Sequence, residues 1–140
     1  MKLNKDRTSY NRTSKDPVDI SIDWYNDFYD FMMNKKCLSL AAPEVNAFIR
    51  VIGVKNFNRK KATIMASPII VKQSKKIKPS TEHCLIPGAT HELHKQRPTW
   101  VRVQYLDPFN GKTKKKTYRK RFAAAVCHTI EILDGTLFKS

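Results

Sequence analysis

The stretch from residue 122 to 138 constrains this chain more than any other. Phe122, Val126, Ile130 and Leu133 recur at helical spacing, and Gly135 follows them as a carboxyl-terminal cap. Ala125, His128, Thr129 and Ile132 form a second inward stripe beside the first. A helix with two inward faces must be packed from more than one side. The segments available to do so read mostly as strands. Residues 47–54 and 63–71 are β-rich, the second interrupted by Pro68, which marks an edge or a bulge. Val101, Val103 and Tyr105 alternate with Arg102 and Gln104 as in a half-buried strand; Asn110-Gly111 then supplies a turn, and residues 114–118 return. Residues 21–36 carry Trp24, Phe28, Phe31 and Met32 at the spacing of a one-sided helix. The expected class is α+β, with antiparallel sheets packed around the carboxyl-terminal helix.

The chain's 140 residues suffice for one core, and it has no apolar run long enough to span a bilayer, so no membrane partner is expected. Cys37, Cys84 and Cys127 are odd in number and irregularly spaced, which reads as buried free thiols in a reducing compartment. Lys and Arg total 27 against 12 Asp and Glu, a formal net charge of +15. On so small a domain that is an electrostatic footprint for a polyanion. The cations run in three groups: Arg59, Lys60 and Lys61; Lys72, Lys75, Lys76 and Lys78; and Lys112, Lys114, Lys115, Lys116, Arg119, Lys120 and Arg121. Placed on turns and strand ends, they would reach phosphates without desolvating a core, and they are the expected RNA-contacting residues. Residues 1–18 are set apart as a basic extended tail that an outside partner holds, because residues 1–16 have almost no apolar side chains. Residues 19–140 form the domain.

Four segments, in order, resemble the motifs of the peptide deformylase family. Cys37-Leu38-Ser39-Leu40-Ala41-Ala42-Pro43-Glu44 is similar to G-x-G-L-A-A-P-Q, and Ala66-Ser67-Pro68-Ile69-Ile70 to the strand I-N-P-x-I. Glu82-His83-Cys84-Leu85-Ile86-Pro87-Gly88 followed by Arg97-Pro98-Thr99-Trp100-Val101-Arg102-Val103 resembles E-G-C-L-S-x-P-G and R-P-x-x-V-x-V. Cys127-His128-Thr129-Ile130-Glu131-Ile132-Leu133-Asp134-Gly135-Thr136-Leu137-Phe138 resembles Q-H-E-x-D-H-L-x-G-x-L-F. The resemblance covers roughly residues 19–138 and implies a deformylase-like fold, although no stretch matches the strand that opens the family fold.

It also implies what the chemistry would need. In the family a cysteine and two histidines four residues apart hold a metal that activates water; Cys84 and His128 match two of these positions, and the third is Ile132. The family's proton-moving glutamate, a role worth about 10²–10⁴ in rate, is Thr129. The glutamine that polarises the substrate carbonyl is Glu44, whose negative charge would repel a developing oxyanion; the motif glycine and serine are His83 and Ile86. On these grounds no metal, no cofactor and no catalysis are expected. Two readings of the remnant stay open. Glu44, Cys84 and His128 could form a three-ligand set of a kind zinc accepts, or Cys84 is a buried small hydrophobe and His128 a hydrogen-bonded core histidine. His91 and His94 read as surface residues of a strand or its preceding loop.

The family acts on nascent chains at the ribosome. With the charge, this implies a non-catalytic structural protein of a ribosome, in a mitochondrion, contacting rRNA and neighbouring ribosomal proteins. The alternatives are a divergent metal-dependent peptide deformylase, or a free nascent-chain or formyl-peptide binder using a groove around Leu40, Leu85 and Val126.

Overall fold

A computed structural model describes residues 1–83 and 92–138. Cys84, Leu85, Ile86 and His91, to which the sequence assigns roles, lie outside the described residues. Helix α1 (Ile22–Met33) starts at Ser21, whose hydroxyl accepts from the Trp24 amide at 3.2 Å, and buries Tyr25, Phe28 and Met32. Strands β1 (Ser39–Ala41), β2 (Val51–Lys55), β3 (Ala62–Gln73), β6 (Trp100–Leu106) and β7 (Thr113–Arg119) form an antiparallel five-stranded sheet in the order β1-β2-β3-β6-β7. Strands β4 (Ile77–Glu82) and β5 (Leu93–Pro98) pair separately. Helix α2 (Arg121–Asp134) closes the fold.

The large sheet is covered on both faces. One apolar cluster joins Ile52, Val54, Met65, Val101 and Val103 to Val126, Ile132 and Leu133 of α2. The other joins Val51, Ile64 and Ala66 to Phe28 and Met32 of α1. Every residue of β2 is therefore buried, since alternate side chains enter different cores. The expected breaks are present: the β3–β6 register shifts between Ala66 and Ile69 around Pro68, and Ser67 adopts φ +48°. The β6–β7 hairpin has Gly111 at φ +72° in its turn. Of the α2 stripe, Phe122, Val126 and Leu133 are buried and Ile130 is half-buried. No helix among the described residues is long and apolar enough to cross a membrane.

The small sheet is anchored differently. Leu93 reaches the core, but the β4 strand offers it no buried apolar face, so polar contacts hold the pair to α2.

The basic amino-terminal segment is extended apart from a single 3-10 turn at Arg7–Asn11, and the chain itself holds it. The Asn4 amide donates to Glu44 O at 2.7 Å, Tyr10 Oη to Asn4 O at 3.0 Å, and the Ser14 amide to Leu133 O at 2.7 Å. Asn4, Tyr10 and Ser14 are buried, so no outside partner is needed to order this segment, contrary to expectation. Tyr10, an aromatic in a polar stretch, was the signal that it packs. The segment also passes tightly over Gly135, the α2 cap at φ +73°, where a Cβ would lie 2.7 Å from Asn11 O and 2.9 Å from Arg12 O. Gly135→Ala therefore meets a left-handed backbone and a backbone clash together. We expect a loss of about 1–2 kcal/mol in urea unfolding, with faster proteolysis within residues 1–18. An unchanged midpoint would exclude this coupling.

Candidate active site

The candidate pocket lies where β1, the end of β4 and α2 meet. It has a volume of about 370 Å³, and its walls include Cys37, Ser39, Glu44, Glu82, Ala125 and His128. Three backbone devices aim the side chains. Helical periodicity turns His128 inward from α2, with its side chain 9% exposed. The Ala42–Val45 3-10 turn brings Glu44 back so that its Oε1 accepts from the Ala41 amide at 3.0 Å. The β4 strand ends at Glu82, whose Oε1 lies 2.9 Å from His128 Nδ1. In the neutral tautomer that donates from Nδ1 to this carboxylate, the lone pair is on Nε2.

Glu82 is itself held. Arg97, at the buried end of β5, donates from Nε to Glu82 Oε2 and from Nη2 to Oε1, both at 2.8 Å; its Nη1 and Nη2 reach Glu131 of α2 at 2.9 Å. Burial raises the Glu82 pKa, but hydrogen bonds from Arg97, His128 and Ser80 outweigh it and bring the carboxyl down to about 2. Burial lowers the Arg97 pKa, and the two glutamates reverse this and raise it. Glu82 and Arg97 stand within the motif segments, yet their joint role with Glu131 becomes visible only when β4, β5 and α2 are brought together.

Glu44 behaves in the opposite way. It is 3% exposed, and burial pushes its carboxyl up to about 7 against the opposing effects of the Ala41 amide and His128. The fully charged Glu44 assumed from the sequence is corrected: near neutral pH it is divided between its neutral and ionised forms. Thr129 is fully buried and its hydroxyl turns to the helix, 3.0 Å from Ala125 O and 3.1 Å from Val126 O, so it moves no proton. Ile132 is fully buried in the core and offers no donor. Burial pushes the Cys37 and Cys127 thiols up to about 11, so both remain protonated. Neither takes part in a disulfide.

Among the described residues no group of three His, Cys, Asp or Glu stands together to hold a metal. The donors that do face the pocket nevertheless suit one. His128 is oriented as metal-bound histidines usually are, by a carboxylate on its other nitrogen. Glu44 is a buried acid that lines the same pocket and feels the charge of His128, and Cys84, outside the described residues, follows Glu82 by two positions in the sequence.

The expected RNA-contacting residues are spread over several elements. Arg59, Lys60 and Lys61 occupy the exposed β2–β3 turn; Lys72 is the penultimate residue of β3, Lys75 and Lys76 follow it, and Lys78 lies on β4. Lys112 precedes β7, which carries Lys114, Lys115, Lys116 and Arg119, and Lys120 and Arg121 start α2. Lys114 is paired with Asp107 at 2.9 Å. Lys116 points inward, donates to Thr63 Oγ1 at 3.1 Å and has its pKa lowered by burial, so it is not an open contact. Lys116, Arg119, Lys120 and Arg121 do share a groove with Phe57, a residue to which charge patterning gives no role.

A profile of the polypeptide deformylase family matches residues 5–140. A peptide deformylase of Finegoldia magna is 27% identical over 113 residues, 80% of this chain and 68% of that protein. One from Caldanaerobacter subterraneus is 32% identical over 113 residues, 80% of this chain and 67% of its own length. Among solved structures, a peptide deformylase from Legionella pneumophila superposes with a TM-score of 0.84 at 26% identity, covering 99% of this chain and 82% of that one. A probable deformylase from Synechococcus phage S-SSM7 gives 0.79 at 29%, covering 99% and 95%. These comparisons overturn the expectation that the chain is not an enzyme, because the relatives are peptide deformylases by name.

Proposed function

The chain belongs to the polypeptide deformylase family, and from that footing we propose that it is a divergent, metal-dependent peptide deformylase acting on N-formyl peptides. The observation that carries the reading is His128, oriented by Glu82, in one pocket with the buried acid Glu44. His128, Glu44 and Cys84 would hold the metal, with the carboxylate replacing the imidazole lost at Ile132; zinc accepts all three ligand types. When bound, the metal supplies an activated water for attack on the formyl carbon.

The chain's own residues do the remaining work. Glu82 keeps the His128 lone pair directed at one point, and Arg97 keeps Glu82 ionised and in place. Leu38 and Ala124 supply apolar wall to the pocket, which limits water around the reacting carbonyl. In the reaction water adds to the formyl carbon, the carbon–nitrogen bond breaks, formate leaves and the peptide amine takes a proton. Thr129 gives none of the acid–base help the family glutamate supplies, so the enzyme is a slow one.

The test is elemental analysis of the purified full-length chain, together with formate release from an N-formyl peptide before and after chelation. Stoichiometric metal, hydrolysis lost on chelation, and loss of both in His128→Ala are expected. Metal-free protein that stays inert when zinc or iron is supplied would overturn the reading.

A further inference from the structure

The five-stranded sheet ends at β7, and beyond it a groove runs between the β2–β3 turn and the start of α2. Its walls include Phe57, Tyr118 and Phe122 together with Lys116, Arg119, Lys120 and Arg121. Phe57 is 86% exposed, an unusual place for a phenyl ring in a turn that also carries Arg59, Lys60 and Lys61. Its ring is not isolated: it lies 6.2 Å from the Phe122 ring at an interplanar angle of 41°, while Arg121 sits 5.6 Å from the centre of that same ring. Tyr118 closes the floor with its ring 5.3 Å from Lys116 Nζ. Among the described residues no acidic side chain lines the groove.

A single exposed aromatic residue needs no explanation by itself. An exposed ring at the mouth of an apolar groove bordered by four cations, on a domain with net charge +15, has a narrower meaning. The ligand that matches it has flat unpaired rings and a regularly charged backbone. We propose that this groove binds single-stranded RNA, with a base stacked on Phe57 and neighbouring phosphates held by Arg119, Lys120 and Arg121. The pairing of aromatic platforms with a cationic track is how sequence-tolerant single-strand binders work, because every base has a face to stack. A duplex would present its phosphates but hide those faces. A bilayer surface fits less well, since insertion draws on several exposed apolar side chains, and among the described residues of the groove Phe57 is the exposed large apolar one. Lys116 belongs to the wall rather than to the contact, because its ammonium already donates to Thr63.

The experiment is a titration of the full-length protein with a labelled oligouridylate of about 10 nucleotides, within the roughly 4–16 that one such site occupies. It is repeated between about 50 and 200 mM salt, where phosphate contacts separate from stacking. Phe57→Ala should weaken binding about 5- to 150-fold, the range of one lost stack, with the salt slope unchanged, and Phe57→Trp should restore it. Arg119→Gln with Arg121→Gln should lower the slope by about 1.4, at roughly 0.7 per single-strand phosphate contact. Phe57 is so exposed that its substitution should leave thermal unfolding unaltered. Equal affinity for an RNA duplex, binding indifferent to Phe57, or displacement of the oligonucleotide by anionic vesicles or an acidic peptide but not by unlabelled RNA would each overturn the assignment. Deformylation does not enter any of these readouts, so the two proposals fail independently.

Discussion

Arg97→Ala should cost the fold about 3–5 kcal/mol at neutral pH, the usual penalty for breaking a buried ion network by removing one partner. The arginine is 6% exposed and holds all four carboxylate oxygens of Glu82 and Glu131 within 2.9 Å. Without it, the nearly buried Glu82 keeps His128 and Ser80 as its partners among the described residues, and the small β4–β5 sheet loses its main tie to α2. The deficit has a predictable pH course. The folded Glu82 pKa is depressed from 4.5 to about 2, so its contribution is complete above 4.5 and disappears as pH falls toward 2. Wild type and variant should therefore converge in acid. Arg97→Met combined with Glu82→Gln and Glu131→Gln should recover much of the loss, because no buried charge is then left without a partner. Denaturant unfolding of the three proteins at pH 7 and pH 3 decides the matter. A single-variant loss below about 1 kcal/mol at pH 7 would show that the network stabilises little. Metal affinity should also fall, by about 10–100-fold, since the arginine orients His128 through Glu82.

Glu44→Gln should move stability and metal binding in opposite directions. The Glu44 carboxyl has its pKa raised from 4.5 to about 7, chiefly by burial. Between those values the metal-free folded protein binds a proton that the unfolded chain does not, so stability falls as pH rises and the full penalty stands above about 7. At roughly 1.4 kcal/mol per pKa unit, the penalty at pH 8 is on the order of 3 kcal/mol. Glutamine carries no charge and can still accept from the Ala41 amide, so the metal-free variant should be the more stable protein at pH 8 and nearly equal to wild type at pH 4. If Glu44 is a metal ligand, the same variant retains far less zinc and releases less formate. A gain in stability bought with a loss of function is what a strained functional carboxylate predicts. A variant that keeps its metal and its activity would remove Glu44 from the ligand set; one whose stability follows wild type at both pH values would mean the acid is not destabilising.

Several parts of this protein were legible without coordinates. The Phe122, Val126 and Leu133 stripe, the Gly135 cap, the alternation of Val101, Val103 and Tyr105, and the break at Pro68 follow from local rules. Helical and strand periodicity, left-handed turns and a missing amide act within a few residues of chain. The order of the motif segments was enough to imply the family and its α+β fold. The site was legible in part: His128 and Glu44 were identified, and their protonation and orientation were not.

The sequence by itself determined which faces are apolar, where elements begin and end, and which donor atoms the pocket can contain. Only the tertiary structure decided that Glu44 is half neutral near pH 7, that Arg97 links Glu82 on β4 to Glu131 on α2, and that Lys116 faces Thr63 instead of solvent. It also decided that the polar amino-terminal segment packs around Tyr10 and against Gly135. The physical reason is one of range. A charge or a lysine reads the same in any sequence, but its pKa and its partners depend on desolvation and on neighbours tens of residues away, which periodicity does not encode.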